Sequence, residues 1–187
     1  MARLFFSRYI CLLGAVCLSG CAAVYVDNSY IPPFSQNKKF IVSQAFMGTK
    51  THNNPVNYYA VDLVMPLGET VCAARSGKVV DLHDSSRTPD EADEADEADE
   101  TADFVRIMEE SGRINDYQHL LPGSINISIG QHINVRECFA KVGNTGISTG
   151  PHLHFAVLNS SLQSVPFRFL QPGGSLIEPA YLEWVRN

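Results

Sequence analysis

From Phe40 onward the polar and apolar positions follow a strand period. Val71–Val80, Phe104–Met108, Ile125–Ile129 and His152–Leu158 either alternate or carry runs of β-branched residues. Gly48, Gly68, Gly77, Gly112, Gly123, Gly130 and Gly143 punctuate these stretches at turn-like intervals. No segment of the mature chain carries a sustained 3.6-residue period. The pattern predicts an all-β, compact antiparallel domain over residues 40–187, with Val165–Phe169 as a closing strand.

The first twenty residues follow a different rule. Met1–Arg8 holds two Arg and no acid, and Tyr9–Gly20 is nearly all apolar. A dozen apolar residues fall short of the ~20 that a spanning helix needs, so the segment reads as a secretory signal. Its end, Leu18-Ser19-Gly20-Cys21, resembles the bacterial lipobox. The resemblance implies cleavage before Cys21, lipidation of its thiol and a membrane anchor. Ala22 after the Cys resembles outer-membrane sorting, and the expected location is the periplasm-facing cell envelope. Residues 21–39, with Pro32-Pro33, read as a tether between lipid and domain.

Charge narrows the partners. The formal net charge is −6, but nine of the twenty acids lie between Asp90 and Asp103; without them eleven acids face fourteen bases, a balance of +3. The body is near neutral, which does not point to nucleic acid. Residues 91–100 repeat Glu-Ala-Asp and then end on Glu. Such a run buries nothing and repels itself, so an insertion of about residues 88–103 is expected as a disordered, swollen hairpin loop. Of five cysteines, Cys11 and Cys17 leave with the signal and Cys21 is assigned to the lipid. Cys72 and Cys138 remain, either as a disulfide in an oxidising compartment or as two small buried side chains.

The chemistry lies in the histidines. In a strand, residues two apart share a face, so His152 and His154 project side by side with Leu153 turned away. Asp62 is a lone carboxylate in the apolar run Tyr59–Val64, where it requires a cation or donors. His52 lies ten residues earlier in a loop with Asn53, Asn54 and Pro55. His52, Asp62 and His154 would give Zn²⁺ three N/O ligands and leave the fourth position open to water, the pattern of catalytic zinc sites.

At these residues the chain resembles the lysostaphin/LytM-type zinc endopeptidases of peptidoglycan. Gly143–Phe155 matches their signature loop and His-x-His strand. Ala60-Val61-Asp62 through Gly77-Lys78-Val79-Val80 matches the segment after their ligand Asp, and Tyr117-Gln118-His119-Leu120 matches their Tyr-x-His-Leu motif. The resemblance implies an open cleft, one zinc on His52, Asp62 and His154, and catalytic imidazoles at His119 and His152. It implies a peptidoglycan peptide as substrate. Cell-wall synthesis or hydrolase proteins are possible partners. His83 and His132 match no family position and are expected to face solvent. Two departures stand out: many members place the ligand His and Asp four apart rather than ten, and the acidic insertion enlarges a loop; within the matching hairpin, Arg136 and Cys138 stand where Gly and an aliphatic residue are commoner. Asn144, Thr145 and Ser148 either line the cleft or satisfy backbone groups of their loop, the second being favoured, and Tyr117 is expected to pack rather than contact substrate. A non-catalytic module that binds peptidoglycan or activates a wall hydrolase, and a metal-storage or transport lipoprotein, are the competing classes.

Overall fold

The computed structural model describes residues 28–87 and 101–187. The expected signal segment, residues 1–20, with Cys21, residues 22–27 and residues 88–100 of the acidic insertion, lies outside the described residues. Among the described residues thirteen strands run in chain order: β1 (Ser29–Tyr30), β2 (Lys39–Gln44), β3 (Val61–Val64), β4 (Thr70–Cys72), β5 (Gly77–His83), β6 (Phe104–Met108), β7 (Ile114–Gln118), β8 (His132–Ile133), β9 (Cys138–Lys141), β10 (Leu153–Leu158), β11 (Arg168–Leu170), β12 (Leu176–Ile177) and β13 (Trp184–Arg186). Among the described residues the only helical turn is a 3₁₀ turn at Ser85–Arg87.

Eight strands form one antiparallel sheet in the order β13-β2-β3-β10-β7-β6-β5-β8. β4 and β9 form a second ladder, and β1-β11-β12 a third, in which β1 and β11 run parallel. β10 lies inside the large sheet between β3 and β7, and all six of its residues are buried. That position explains its unbroken Leu-His-Phe-Ala-Val-Leu run, since burial on both faces leaves no alternation to read. Phe155 of β10 packs against Tyr30, Tyr117, Phe167 and Phe169, with ring centroids 5.1–6.4 Å apart. Such aromatic pairs add ~0.5–1.5 kcal/mol each beyond area burial. This cluster fixes the strand that carries His154.

The expected tether is shorter than residues 21–39. Ser29–Phe34 belongs to the domain: Tyr30, Ile31 and Phe34 are core residues, and β1 pairs with β11. The prolines misdirect the sequence reading here. Pro32 and Pro33 are buried, and the Pro33 carbonyl accepts the Cys72 amide. Ile125–Ile129 is not among the strands, yet Ile125 and Ile127 are both buried and the Asn126 amide donates to the Phe139 carbonyl (3.0 Å); the alternation marks a buried side. Val71–Val80 divides into β4 and β5 at Ala73–Ser76. The closing strand runs three residues, Arg168–Leu170, later than Val165–Phe169.

Cys72 and Cys138 form a disulfide across the β4–β9 ladder. The insertion enters the β5–β6 hairpin connection and ends before Asp103, which is fully buried. The Asp103 carboxylate accepts the Ser85 amide (2.8 Å) and hydroxyl (3.2 Å). His83 is less exposed than expected, its Nδ1 lying 3.2 Å from Asp103 Oδ1, whereas His132 is exposed.

Candidate metal centre and its cleft

β3 and β10 are antiparallel neighbours with Asp62 level with His154. Val61 and Leu63 point into the core, so Asp62 faces the opposite side, where His154 also lies. His154 Nδ1 is 2.9 Å from Asp62 Oδ1. The Asn-rich loop before β3 folds back and brings His52 Nε2 to 3.2 Å from the same oxygen. All three residues are buried, and their candidate ligand atoms lie within 4.8 Å of one another.

The donor set fits a cation. The Nδ1–H of His52 donates to the Ala45 carbonyl (2.9 Å), so in the neutral ring Nε2 offers a lone pair toward a carboxylate oxygen. Two electron-rich atoms facing each other at that separation call for positive charge between them. A tetrahedral zinc site with bonds of about 2.0–2.1 Å places its ligand atoms about 3.3 Å apart; the two distances to Asp62 Oδ1, 2.9 and 3.2 Å, are close to that edge. Where protons rather than a cation stand between these groups, burial still pushes the Asp62 carboxyl up, but hydrogen bonds from protonated His154 and His52 outweigh it and hold the group far below the usual carboxylate range. It is therefore an anion at neutral pH.

Gln44, at the end of β2, is a residue the sequence reading passed over. It is buried and every polar atom is engaged. Its Nε2 donates to Asp62 Oδ2 (2.9 Å) and to Thr51 Oγ1 (2.6 Å), while Oε1 accepts the amides of Lys50 and Thr51 at 3.2 and 3.3 Å. One side chain thus holds the carboxylate of β3 and the loop that delivers His52. Gly48 lacks a Cβ where one would collide with the Gln44 stem. A buried-phase Gln two residues after Val42 in the stretch Phe40-Ile41-Val42-Ser43-Gln44 was the available signal.

Two further imidazoles border this cluster. His119 follows β7 with φ at 63°, an uncommon conformation for a residue other than glycine. The turn is pinned by Gly143, whose amide donates to the His119 carbonyl (2.8 Å), and by His119 Nδ1–H, which donates to the Thr145 carbonyl (2.7 Å). Burial, with help from His152 and His154, lowers the His119 pKa to about 4, so the ring is neutral with its lone pair on Nε2. His152 Nδ1–H donates to the Gly150 carbonyl (2.8 Å), and its Nε2 lies 3.8 Å from Asp62 Oδ1. The His119 and His152 rings are 4.5 Å apart. Five residues named from sequence, His52, Asp62, His119, His152 and His154, therefore converge in one place.

Of the three loop residues, Thr145 and Ser148 bond backbone groups as expected, Ser148 lines the cleft as well, and Asn144 accepts from the Ser148 side chain. Thr145 Oγ1 accepts the Asp103 amide and donates to the Leu120 carbonyl; Ser148 bonds Asn144 and the Gly150 carbonyl. Tyr117 is fully buried, its hydroxyl accepting the Ala74 amide. Above the cluster opens a cleft of about 780 Å³, lined by Asp62, His119, His152 and His154 together with Val64, Gln118 and Ile147.

Residues 56–166 match the description "Peptidase family M23". The chain belongs to Peptidase family M23. The match starts just after His52, so the M23 segment contains Asp62, His119, His152 and His154 while the remaining candidate ligand lies on the preceding loop. Among curated M23-type relatives, an uncharacterized metalloprotease of Buchnera aphidicola is 26% identical over 136 residues, covering 73% of this chain and 31% of that protein. Lysostaphin of Staphylococcus simulans is 29% identical over 123 residues, covering 63% of this chain and 22% of lysostaphin. The chain spans less than a third of the length of either relative. The crystal structure of a zinc-containing peptidase from Vibrio cholerae shares the fold with a TM-score of 0.51 at 23% identity, over 74% of this chain and 39% of that one.

Proposed function

We propose that this chain is a zinc-dependent endopeptidase that hydrolyses amide bonds in the peptide part of bacterial peptidoglycan, working from a lipid anchor at Cys21 on the periplasmic side of the envelope. The observation that carries the reading is the convergence of His52, Asp62 and His154 on one point beside two further imidazoles, His119 and His152. Membership of a peptidase family and the similarity to lysostaphin support it.

His52, Asp62 and His154 would hold the ion, which when bound supplies Lewis acidity toward water and the scissile carbonyl. The rest falls to the chain. Thr145 and Gly150 fix Nδ1–H of His119 and His152 through their carbonyls, so each ring presents Nε2 to the cleft as a proton acceptor. One of the two takes a proton from the attacking water; the protonated ring can then return it to the leaving amine. Burial favours the uncharged ring of His119, which keeps it available as a base near neutral pH.

The test is digestion of purified sacculi by the purified protein with and without chelator, with products identified by mass. Chelator-sensitive release of new amine termini supports the reading; binding without any cleavage shows a non-catalytic module instead. About one zinc per chain is expected. His154→Ala should lose metal and cleavage together, whereas His119→Ala and His152→Ala should keep the metal and lose ~10²–10⁴ in rate.

A further inference from the structure

The cleft floor continues beyond the reacting groups. Across the sheet, Trp184 of β13 is level with Ile41 of β2, and Ile41 with Val64 of β3. Extending the Leu153–Leu63 register of β10 and β3 by one residue sets His152 level with Val64, and both line the cleft. Val42, Leu63 and Val185 turn to the core, so this row lies on the outer face. Val64 and Trp184 are each 45% exposed and Ile41 is half-buried. An apolar track therefore leads from a catalytic imidazole to an aromatic ring on the edge strand. Lys39 and Arg186 are paired in register at its far end and both exposed; the Lys39 ammonium lies over the Trp184 ring, 4.7 Å from its centroid, and would swing aside on its flexible stem for a sugar to take that face.

We propose that the row His152–Val64–Ile41–Trp184 is a substrate subsite that accepts a peptidoglycan stem peptide and the sugar attached to it, with the sugar ring stacked on Trp184. The proposal rests on the endopeptidase reading and names the part of the substrate that this face recognises. Length supports the occupant. Three strand spacings of about 4.8 Å make about 14 Å, the reach of roughly four extended residues at about 3.3 Å each. A four-residue stem puts its sugar at that distance from the bond at the stem's end. Charge agrees as well, because stem peptides carry free carboxylates and the track is flanked by two cations. Trp is suited to the terminal position, since its flat apolar face and polar edge meet a sugar's C–H face and hydroxyls.

Trp184 is the chain's only Trp, so its fluorescence reports this end of the track directly. The full chain, stripped of metal so that nothing is hydrolysed, is titrated with three probes: a disaccharide-tetrapeptide, the free tetrapeptide and the disaccharide alone. The disaccharide-tetrapeptide should change Trp184 emission saturably, and the free tetrapeptide should leave it unchanged. In the metal-loaded protein, Trp184→Ala should raise KM for sugar-bearing cross-linked substrate about tenfold at unchanged kcat, while KM for a sugar-free cross-linked peptide stays the same. Unchanged emission with the disaccharide-tetrapeptide, or an equal response to the free peptide, overturns the subsite. Emission that changes with protein concentration alone overturns it too, in favour of a second copy of the chain at this edge. Sacculus cleavage without a Trp184 response keeps the endopeptidase and discards the subsite; a Trp184 response in a protein that cleaves nothing does the reverse.

Discussion

Replacing Gln44 by Met keeps the volume of the side chain while deleting every hydrogen bond it makes. Four are lost: the donations to Asp62 Oδ2 and Thr51 Oγ1, and the two amides accepted from Lys50 and Thr51. The bond to the carboxylate is charge-assisted and worth about 1.5–3 kcal/mol. That oxygen is the one facing away from His52 and His154, so losing its donor frees the carboxylate to rotate. The loop carrying His52 is released at the same time. Partners of this kind typically change metal affinity by about 10–100-fold, or about 1.4–2.8 kcal/mol, which matches the energy of the lost bond. Competition against a chromophoric zinc chelator measures the affinity directly. Thr51→Val removes one link of the same chain, and its effect should be less than additive with Gln44→Met. Zinc affinity of Gln44→Met within twofold of the parent protein would refute the reasoning.

Four other outcomes are expected. The Cys72–Cys138 bridge spans 66 residues of sequence, so reducing it should cost about 4 kcal/mol on a chain-entropy basis, read as a lower melting temperature. An unfolded His binds a proton below pH ~6.5, whereas His119 stays neutral down to about 4; stability of the metal-free domain is therefore full above pH ~6.5 and falls as pH drops toward 4, and His119→Phe should soften that fall. Gly146→Ala should lower both melting temperature and kcat, because φ is +67° and the new Cβ would stand 2.7 Å from the Ala102 amide nitrogen, displacing the loop that orients His119. Cys21→Ala should release the protein from the membrane fraction in cell fractionation.

The large sheet and the cluster were legible for different reasons. β6 and the end of β10 follow from alternation and β-branched runs, and the His-x-His pair follows from the strand period alone. His52 could not be placed by period, because its position depends on how the loop between β2 and β3, residues 45–60, folds back. Gln44 does that work through contacts distant in sequence, which no local pattern records. Ile125–Ile129 misled because alternation reports which side is buried and is silent on backbone partners. Tyr30 and Phe34 were hidden by neighbouring prolines and polar residues that resemble a linker. Arg136 shows the converse: the resemblance leads to an expectation of Gly there, and Arg136 has φ at 70°, the left-handed region that favours Gly, with its guanidinium donating to Asn187 Oδ1 (2.6 Å).

The incorporation of β1 into the domain sets a working radius. For a chain anchored at Cys21, as proposed, only residues 22–27 separate the lipid from the first described residue, and six residues extend no further than about 20 Å. The catalytic body would ride close against the bilayer, with little freedom to patrol. It would reach wall material in the layer nearest its own membrane, and a longer leash grafted ahead of Asn28 would widen that territory without touching the cleft.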